Sequence, residues 1–170
     1  MLKVGDRAPD FVLQGYLKDK FKGYSLKDFR GHWLVLFFYR MDFAIICPTE
    51  LLAINAKIDD FHKLNTSLVG VSVDSVFAHK KWAEELGGLE YPLLSDFNKR
   101  TARDYNVLLE EEGTALRATF IINPDGIIKY MTVSDNFVGR SIPETVRVLA
   151  ALQTGRMCPA DWCPGDPTLS

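Results

Sequence analysis

A chain of 170 residues, 47% hydrophobic and 25% charged, is long enough to bury a proper core and has the balance of a soluble globular protein of one domain. Its net charge of −2 and lack of any basic block give nucleic-acid binding no electrostatic support, and no apolar run approaches the roughly 20 residues that span a bilayer. The opening MLKVGDRAPDF has no apolar stretch of the signal-peptide kind, so a cytoplasmic setting is expected, where three cysteines read as catalytic rather than structural.

Residues 3–15, with Asp6, Pro9 and Gly15 around Phe11, Val12 and Leu13, read as an extended lead-in segment. Ser25 is an N-cap for a short helical turn through Phe29 that Gly31 closes. Residues 33–39, WLVLFFY, form an unbroken β-branched and aromatic run that suits a strand buried on both faces. A helix is predicted from Cys47 to about Leu64, with Leu51, Ile54, Ile58 and Phe61 on its apolar face and Asn65 as a stop. Residues 67–73 make a second buried strand. Asp74 or Ser75 caps the next helix, whose stripe is Ala78, Trp82 and Leu86 and whose end is Gly87-Gly88.

A short apolar run at 91–94 precedes a small helix capped by Ser95 or Asp96 and ending near Tyr105-Asn106. A strand at 117–123, the turn Asn123-Pro124-Asp125-Gly126 and a return strand at 127–133 predict a hairpin. Ser141-Ile142-Pro143-Glu144 is a capping box with a well-placed proline, and Val146, Leu149 and Leu152 carry that helix to Gly155. The tail is rich in Pro and Gly and lacks a regular pattern. The order βα, βα, α, ββ, α predicts an α/β fold: a central mixed β-sheet with helices on both faces.

The stretch FFYRMDFAIICPTE joins the first buried strand to a helix start and places Cys47 there. Pro48 suits the first helical position, and Glu50 is placed to reach back as a capping glutamate. Cys47 is therefore expected at the N-cap, with unpaired N–H groups and the positive end of the helix dipole facing its sulfur. That arrangement favours a reactive thiolate. The competing reading is a buried, inert cysteine among Phe43, Ala44, Ile45 and Ile46.

The strings FFY, DF, CPTE, VSVDS, PLLSD, ALRATFIINPDG, VGRS and CPADW occur in an order and spacing that resembles the peroxiredoxins, in particular the typical two-cysteine, alkyl hydroperoxide reductase C-like group. The resemblance runs from about Val4 to Gly165 and implies a thioredoxin-like fold over 1–170, with an extended tail from about 156. It implies that Cys47 is the peroxidatic nucleophile, that Arg117 supports its thiolate, and that Glu50 and Arg140 hold the site's hydrogen bonds. It implies that Cys158 is the resolving cysteine, supplied by a partner subunit to form an intersubunit disulfide with Cys47.

The same resemblance implies a peroxide substrate, a thioredoxin-like or flavoprotein disulfide reductase as partner, homodimers gathered in a ring of five, and no metal, haem or other cofactor. Cys158 and Cys163 have no second Cys or His pair nearby to complete a zinc site, so Cys163 reads as a spare thiol or an alternative resolver. His32, His62 and His79 show no convergent spacing and read as structural or surface residues.

The chain departs from the family's Pro-x-x-x-Thr-x-x-Cys pattern, since Arg40 and Ala44 stand at the Pro and Thr positions. Ala44 lacks the hydroxyl that would face the thiolate and the peroxide. Arg40 brings a cation near the thiolate, or fills the pocket, or pairs with Asp42 or Glu50, or points to solvent. GGLE at 87–90 replaces the family's GGLG, and the chain ends at Ser170 without the Tyr-Phe helix of peroxide-sensitive members, which predicts resistance of Cys47 to overoxidation. Two functions follow: a thiol-dependent peroxidase, or a catalytically weakened homologue that serves as an oligomeric chaperone or redox-relay scaffold. A thioredoxin-like dithiol oxidoreductase ranks behind both, because Cys47 is followed by Pro48, Thr49 and Glu50 rather than by C-x-x-C.

Overall fold

The computed structural model describes residues 1–170. In chain order its strands are β1 (Val12–Leu17), β2 (Lys20–Ser25), β3 (Trp33–Phe38), β4 (Thr66–Ser72), β5 (Leu93–Ser95), β6 (Leu108–Leu109), β7 (Thr114–Ala115), β8 (Arg117–Ile122) and β9 (Ile128–Ser134). The helices are α1 (Cys47–Ala56), α2 (Ile58–Lys63), α3 (Val76–Glu85), α4 (Arg100–Asp104) and α5 (Ile142–Gln153), with a 3-10 turn at Leu26–Phe29. Seven strands form one mixed sheet in the order β2-β1-β5-β4-β3-β8-β9, and β6 and β7 pair separately. The pairs β3/β4 and β4/β5 are parallel and the others antiparallel, which matches the predicted α/β architecture.

The pleat of β3 sets the two cores. Leu34, Leu36 and Phe38 enter one buried cluster, together with Ala102 of α4, Leu26 of the 3-10 turn and Phe11. Val35, Phe37 and the following Tyr39 enter the other, with Cys47, Leu51 and Ile54 of α1, Phe61 of α2, Trp82 of α3 and Leu149 of α5. The sheet is thus covered on both faces. Gly70 of β4 leaves room for this packing, since a Cβ there would stand 2.7 Å from the ring of Phe37.

Four elements differ from expectation. The lead-in segment predicted over 3–15 becomes regular only from Val12, where β1 begins and pairs with β2 in a hairpin turned by Lys18 and Asp19 with φ of 48° and 64°. That double positive φ is the type I′ geometry that Asn-Gly usually marks, and Lys-Asp carries no such signal. The helix predicted over 47–64 divides at Lys57 (φ −103°, ψ 10°), although all four of its predicted apolar residues are buried in one cluster. The Ser141 capping box is half made: Ser141 Oγ accepts from Glu144 N, but the Glu144 carboxylate is turned to Arg147. The N-cap of α4 is Lys99 (φ 65°) rather than Ser95 or Asp96, although the Asp96 carboxylate, from further upstream, accepts from Thr101 N and Ala102 N of its first turn.

Candidate active site

Cys47 lies where β3 hands over to α1, at the carboxyl end of a parallel pair of strands, where open α/β sheets place their sites. It is the first residue of α1 rather than its N-cap. Ile46 is the N-cap, already in helical conformation, and Pro48 is the second residue. The expected donation from free backbone N–H groups is also absent, because Thr49 N and Glu50 N both donate to Ile46 O, at 3.0 and 3.4 Å. None of the surface of Cys47 is exposed.

Its polar partner comes from across the sheet. In the antiparallel β3/β8 register Phe38 faces Ala118, so Tyr39 and Arg117 leave the sheet side by side. Alternation along β8 sends Ala118, Phe120 and Ile122 to one core and turns Ile121 to the side of α1. Arg117, on that same alternation, sets Nη1 3.3 Å from Cys47 Sγ.

Glu50, one turn into α1, is not a cap. Its Oε1 accepts from Arg117 Nη1 at 2.5 Å and its Oε2 from Arg140 Nε at 2.7 Å and Arg140 N at 3.0 Å. Arg140 also donates to Phe38 O, Ala118 O and Thr119 Oγ1, at 2.6, 2.9 and 3.1 Å, and lies over the Phe37 ring. Arg117 Nε donates to Asn136 O at 3.0 Å. Two buried cations therefore meet one buried carboxylate. A thiolate at Cys47 would bring this set to neutrality, and a buried charge without such compensation is costly. The sequence-predicted set Cys47, Glu50, Arg117 and Arg140 is thus one connected cluster.

The loop before Cys47 rests on a second network that sequence reasoning did not find. Asp42 is buried and accepts from Tyr39 Oη at 2.7 Å, and its other oxygen lies 2.7 Å from His79 Nδ1. His79 Nε2 reaches Leu94 O at 2.9 Å, and Asp42 N donates to Asp74 at 2.9 Å. Burial pushes the Asp42 carboxyl up, and burial beside Asp42 lifts the Tyr39 phenol well above its ordinary range. His79 is the structural histidine expected, but it is tied to the loop that carries the site. Phe43, in the same loop, takes a positive φ of 63°, a strained value for a bulky residue, with its ring against Trp82.

Arg40 is exposed and forms no hydrogen bond or ion pair. Asp42 and Glu50 are both occupied by other partners, so the pairing of Arg40 with either does not occur. Ala44 is half-buried and packs against the cluster that contains Cys47. Cys158 lies beyond α5, half-buried, with Sγ 3.4 Å from Thr154 Oγ1 and 3.8 Å from Ala151 O, and it does not join the Cys47 cluster. All three cysteines are free.

The geometry agrees with the comparisons to known proteins. The AhpC/TSA family profile matches residues 4–131. The human mitochondrial thioredoxin-dependent peroxide reductase is 46% identical over 176 residues, covering 98% of this chain and 69% of that protein. Among solved structures, a reduced 2-Cys peroxiredoxin of Plasmodium vivax superposes with a TM-score of 0.92 at 35% identity, over 97% of this chain and 91% of that one. AhpC of Enterococcus faecalis superposes with a TM-score of 0.89 at 37% identity, over 94% of this chain and 100% of that one. With its thiol, carboxylate and arginines gathered at one strand end, the chain belongs to the AhpC/TSA family and is a peroxiredoxin of the AhpC-like two-cysteine group.

Proposed function

We propose that this peroxiredoxin reduces hydrogen peroxide or small organic hydroperoxides through Cys47. The observation that carries the reading is the single Arg117 Nη1 that touches both Cys47 Sγ and Glu50 Oε1. It holds a fixed cation beside the nucleophile and beside the oxygen on which charge develops as the O–O bond breaks. Sulfur donates an electron pair to the distal peroxide oxygen and becomes a sulfenic acid, and the second oxygen leaves as water or an alcohol after taking a proton.

Cys158 of a second copy then condenses with the sulfenic acid, releasing water and forming the intersubunit disulfide. Half-burial beyond α5, away from Cys47 of its own chain, supports that assignment. A thioredoxin-like or flavoprotein reductase returns the disulfide to thiols, in a reducing compartment such as the cytoplasm. Homodimers, and a ring of five of them, complete the reading. No helix is long and apolar enough to cross a membrane.

One observation favours the second reading, a weakened homologue acting as a scaffold or chaperone. Arg117 Nη1 is the one polar side-chain atom within reach of Cys47 Sγ, and Ala44 contributes no hydroxyl. Stopped-flow mixing of the reduced protein with hydrogen peroxide separates the two. Rapid, saturable oxidation that is lost in Cys47→Ser supports the peroxidase. Oxidation at the rate of an ordinary free thiol supports the scaffold.

A further inference from the structure

The three thiols are graded in exposure: Cys47 is buried, Cys158 half-buried and Cys163 exposed. The last two bracket a tight turn. Trp162 N donates to Pro159 O at 3.2 Å, and Asp161 takes a φ of 60°. A turn of this kind brings its first and fourth Cα atoms within about 7 Å. Cys158 and Cys163 are the residues just outside those two positions, five apart in the chain. Disulfides form at Cα separations of roughly 4.4–6.8 Å.

The turn is anchored independently of either sulfur. Trp162 is buried, its Nε1 donates to Asp166 O at 3.0 Å, and Arg147 Nη1 donates to Trp162 O at 2.8 Å. Cys163 N donates to Asp166 Oδ2 at 2.9 Å and Asp166 N to Cys163 O at 2.9 Å. The sulfurs themselves are held loosely. Cys163 Sγ has one contact, Asp161 O at 3.7 Å, and Cys158 Sγ has only weak ones to Thr154, Ala151 and Arg156. A thiol is a weak donor, so either side chain turns at little cost while the turn stays in place.

We propose that Cys163 is a second-stage resolving thiol, which takes the disulfide from Cys158 and presents it to the external reductant. The inference rests on the peroxidase reading above. Once Cys47 of one copy is joined to Cys158 of another, the Cys163 thiolate attacks the Cys158 sulfur. The Cys158–Cys163 bond forms within one chain, the Cys47–Cys158 bond breaks, and Cys47 leaves as a thiolate opposite Arg117. Thiol–disulfide exchange transfers no net electrons, so the two oxidising equivalents taken from the peroxide move unchanged from a buried site to an exposed one. A dithiol reductase then reduces the Cys158–Cys163 pair without access to the Cys47 pocket.

The test uses the full-length reduced protein and one equivalent of hydrogen peroxide, with no other reductant. The reaction is acid-quenched, free thiols are alkylated, and the products are read by non-reducing electrophoresis and peptide mass. The wild type is expected as a monomer with a Cys158–Cys163 link and an alkylated Cys47. Cys163→Ser, at an exposed position, is expected to stop as the Cys47–Cys158 dimer, and Cys163→Ala should do the same. A wild type that stops as that dimer with Cys163 alkylated overturns the inference and leaves the peroxidase standing. A Cys47–Cys163 link that persists in Cys158→Ser also overturns it, since Cys163 would then resolve Cys47 directly. If Cys47 remains a thiol and the peroxide is not consumed, the peroxidase reading fails and takes the inference with it.

Discussion

Arg117 reaches Cys47 from a position that Glu50 holds: Nη1 is 2.5 Å from the carboxylate and 3.3 Å from the sulfur. The carboxylate is shared with Arg140, so Glu50 is the one anion that both buried cations pair with, and its loss leaves two arginines uncompensated where the loss of one arginine leaves Glu50 paired with the other. Removal of Glu50 is therefore the more damaging change. Glu50→Gln is expected to destabilise the fold by about 3–5 kcal/mol, the usual range for breaking a buried ion pair by deleting one partner. Urea denaturation measures this, and a loss near zero would mean that the cluster is not desolvated in solution.

Arg117→Met leaves Glu50 paired with Arg140, so its cost falls on the chemistry rather than on the fold. The rate of Cys47 oxidation should drop by about 10²–10³, the usual loss when one preorganised donor to a developing anion is removed. The denaturation midpoint should move less than in Glu50→Gln. Stopped-flow kinetics and denaturation on the same two variants check the contrast, and a larger midpoint shift in Arg117→Met would reverse the argument.

Ala44 offers the pocket no hydroxyl, and Arg40 is exposed and forms no hydrogen bond or ion pair. The double change Arg40→Pro with Ala44→Thr is expected to raise the oxidation rate of Cys47, with an upper bound of about 10²–10³ for one added donor. Single variants separate the contributions: Ala44→Thr should carry most of the gain. A rate that falls in Arg40→Pro alone would show that the exposed cation serves the reaction as it stands.

Gly70 stands where a Cβ would lie 2.7 Å from the Phe37 ring and 3.0 Å from Leu93. Phe37 is fully packed and cannot withdraw. Gly70→Ala should cost about 1–3 kcal/mol by overpacking, visible as a lower thermal midpoint. Because Phe37 also lies beneath Arg140, the same variant should slow Cys47 oxidation even though it changes no polar group.

Burial holds the Asp42 carboxyl above its ordinary 3.8, against the opposing pull of His79 and Tyr39 and with Asp74 adding to the rise. The folded state therefore binds this proton more tightly than the unfolded state does. Its contribution to stability is fully present below 3.8 and is lost as pH rises through the folded value. Asp42→Asn removes that titration. The difference in urea midpoint between variant and wild type should shift in the variant's favour as pH is raised from below 3.8. A difference that stays constant with pH would mean that Asp42 ionises as an exposed carboxylate does.

The local parts of this architecture were readable from residue patterns. WLVLFFY announced a strand buried on both faces, and Leu51, Ile54, Ile58 and Phe61 announced the face that α1 and α2 bury. Cys47 stood out because proline follows it. The contacts that make the sulfur useful were not local. Arg117 and Glu50 are 67 residues apart and Arg140 and Glu50 are 90 apart, so periodicity carries no trace of them and the family resemblance alone supplied them. The Asp42–His79 pair, 37 residues apart, matched no motif and went unseen. The strands β6 and β7 are two residues long each, below the length at which alternation can be read.

Arg140 ties together the end of β3, the start of β8 and the first turn of α1, through Phe38 O, Ala118 O, Thr119 Oγ1 and Glu50. For Cys47 to meet any second sulfur it must leave a pocket in which none of its surface is exposed. The first turn of α1 cannot fray to let it out unless Glu50 releases both arginines. The staple is therefore a clock as well as a brace. If Cys47 is oxidised as proposed above, the time its sulfur spends inside the closed pocket is set by how fast Glu50 lets go, a first-order property of the chain.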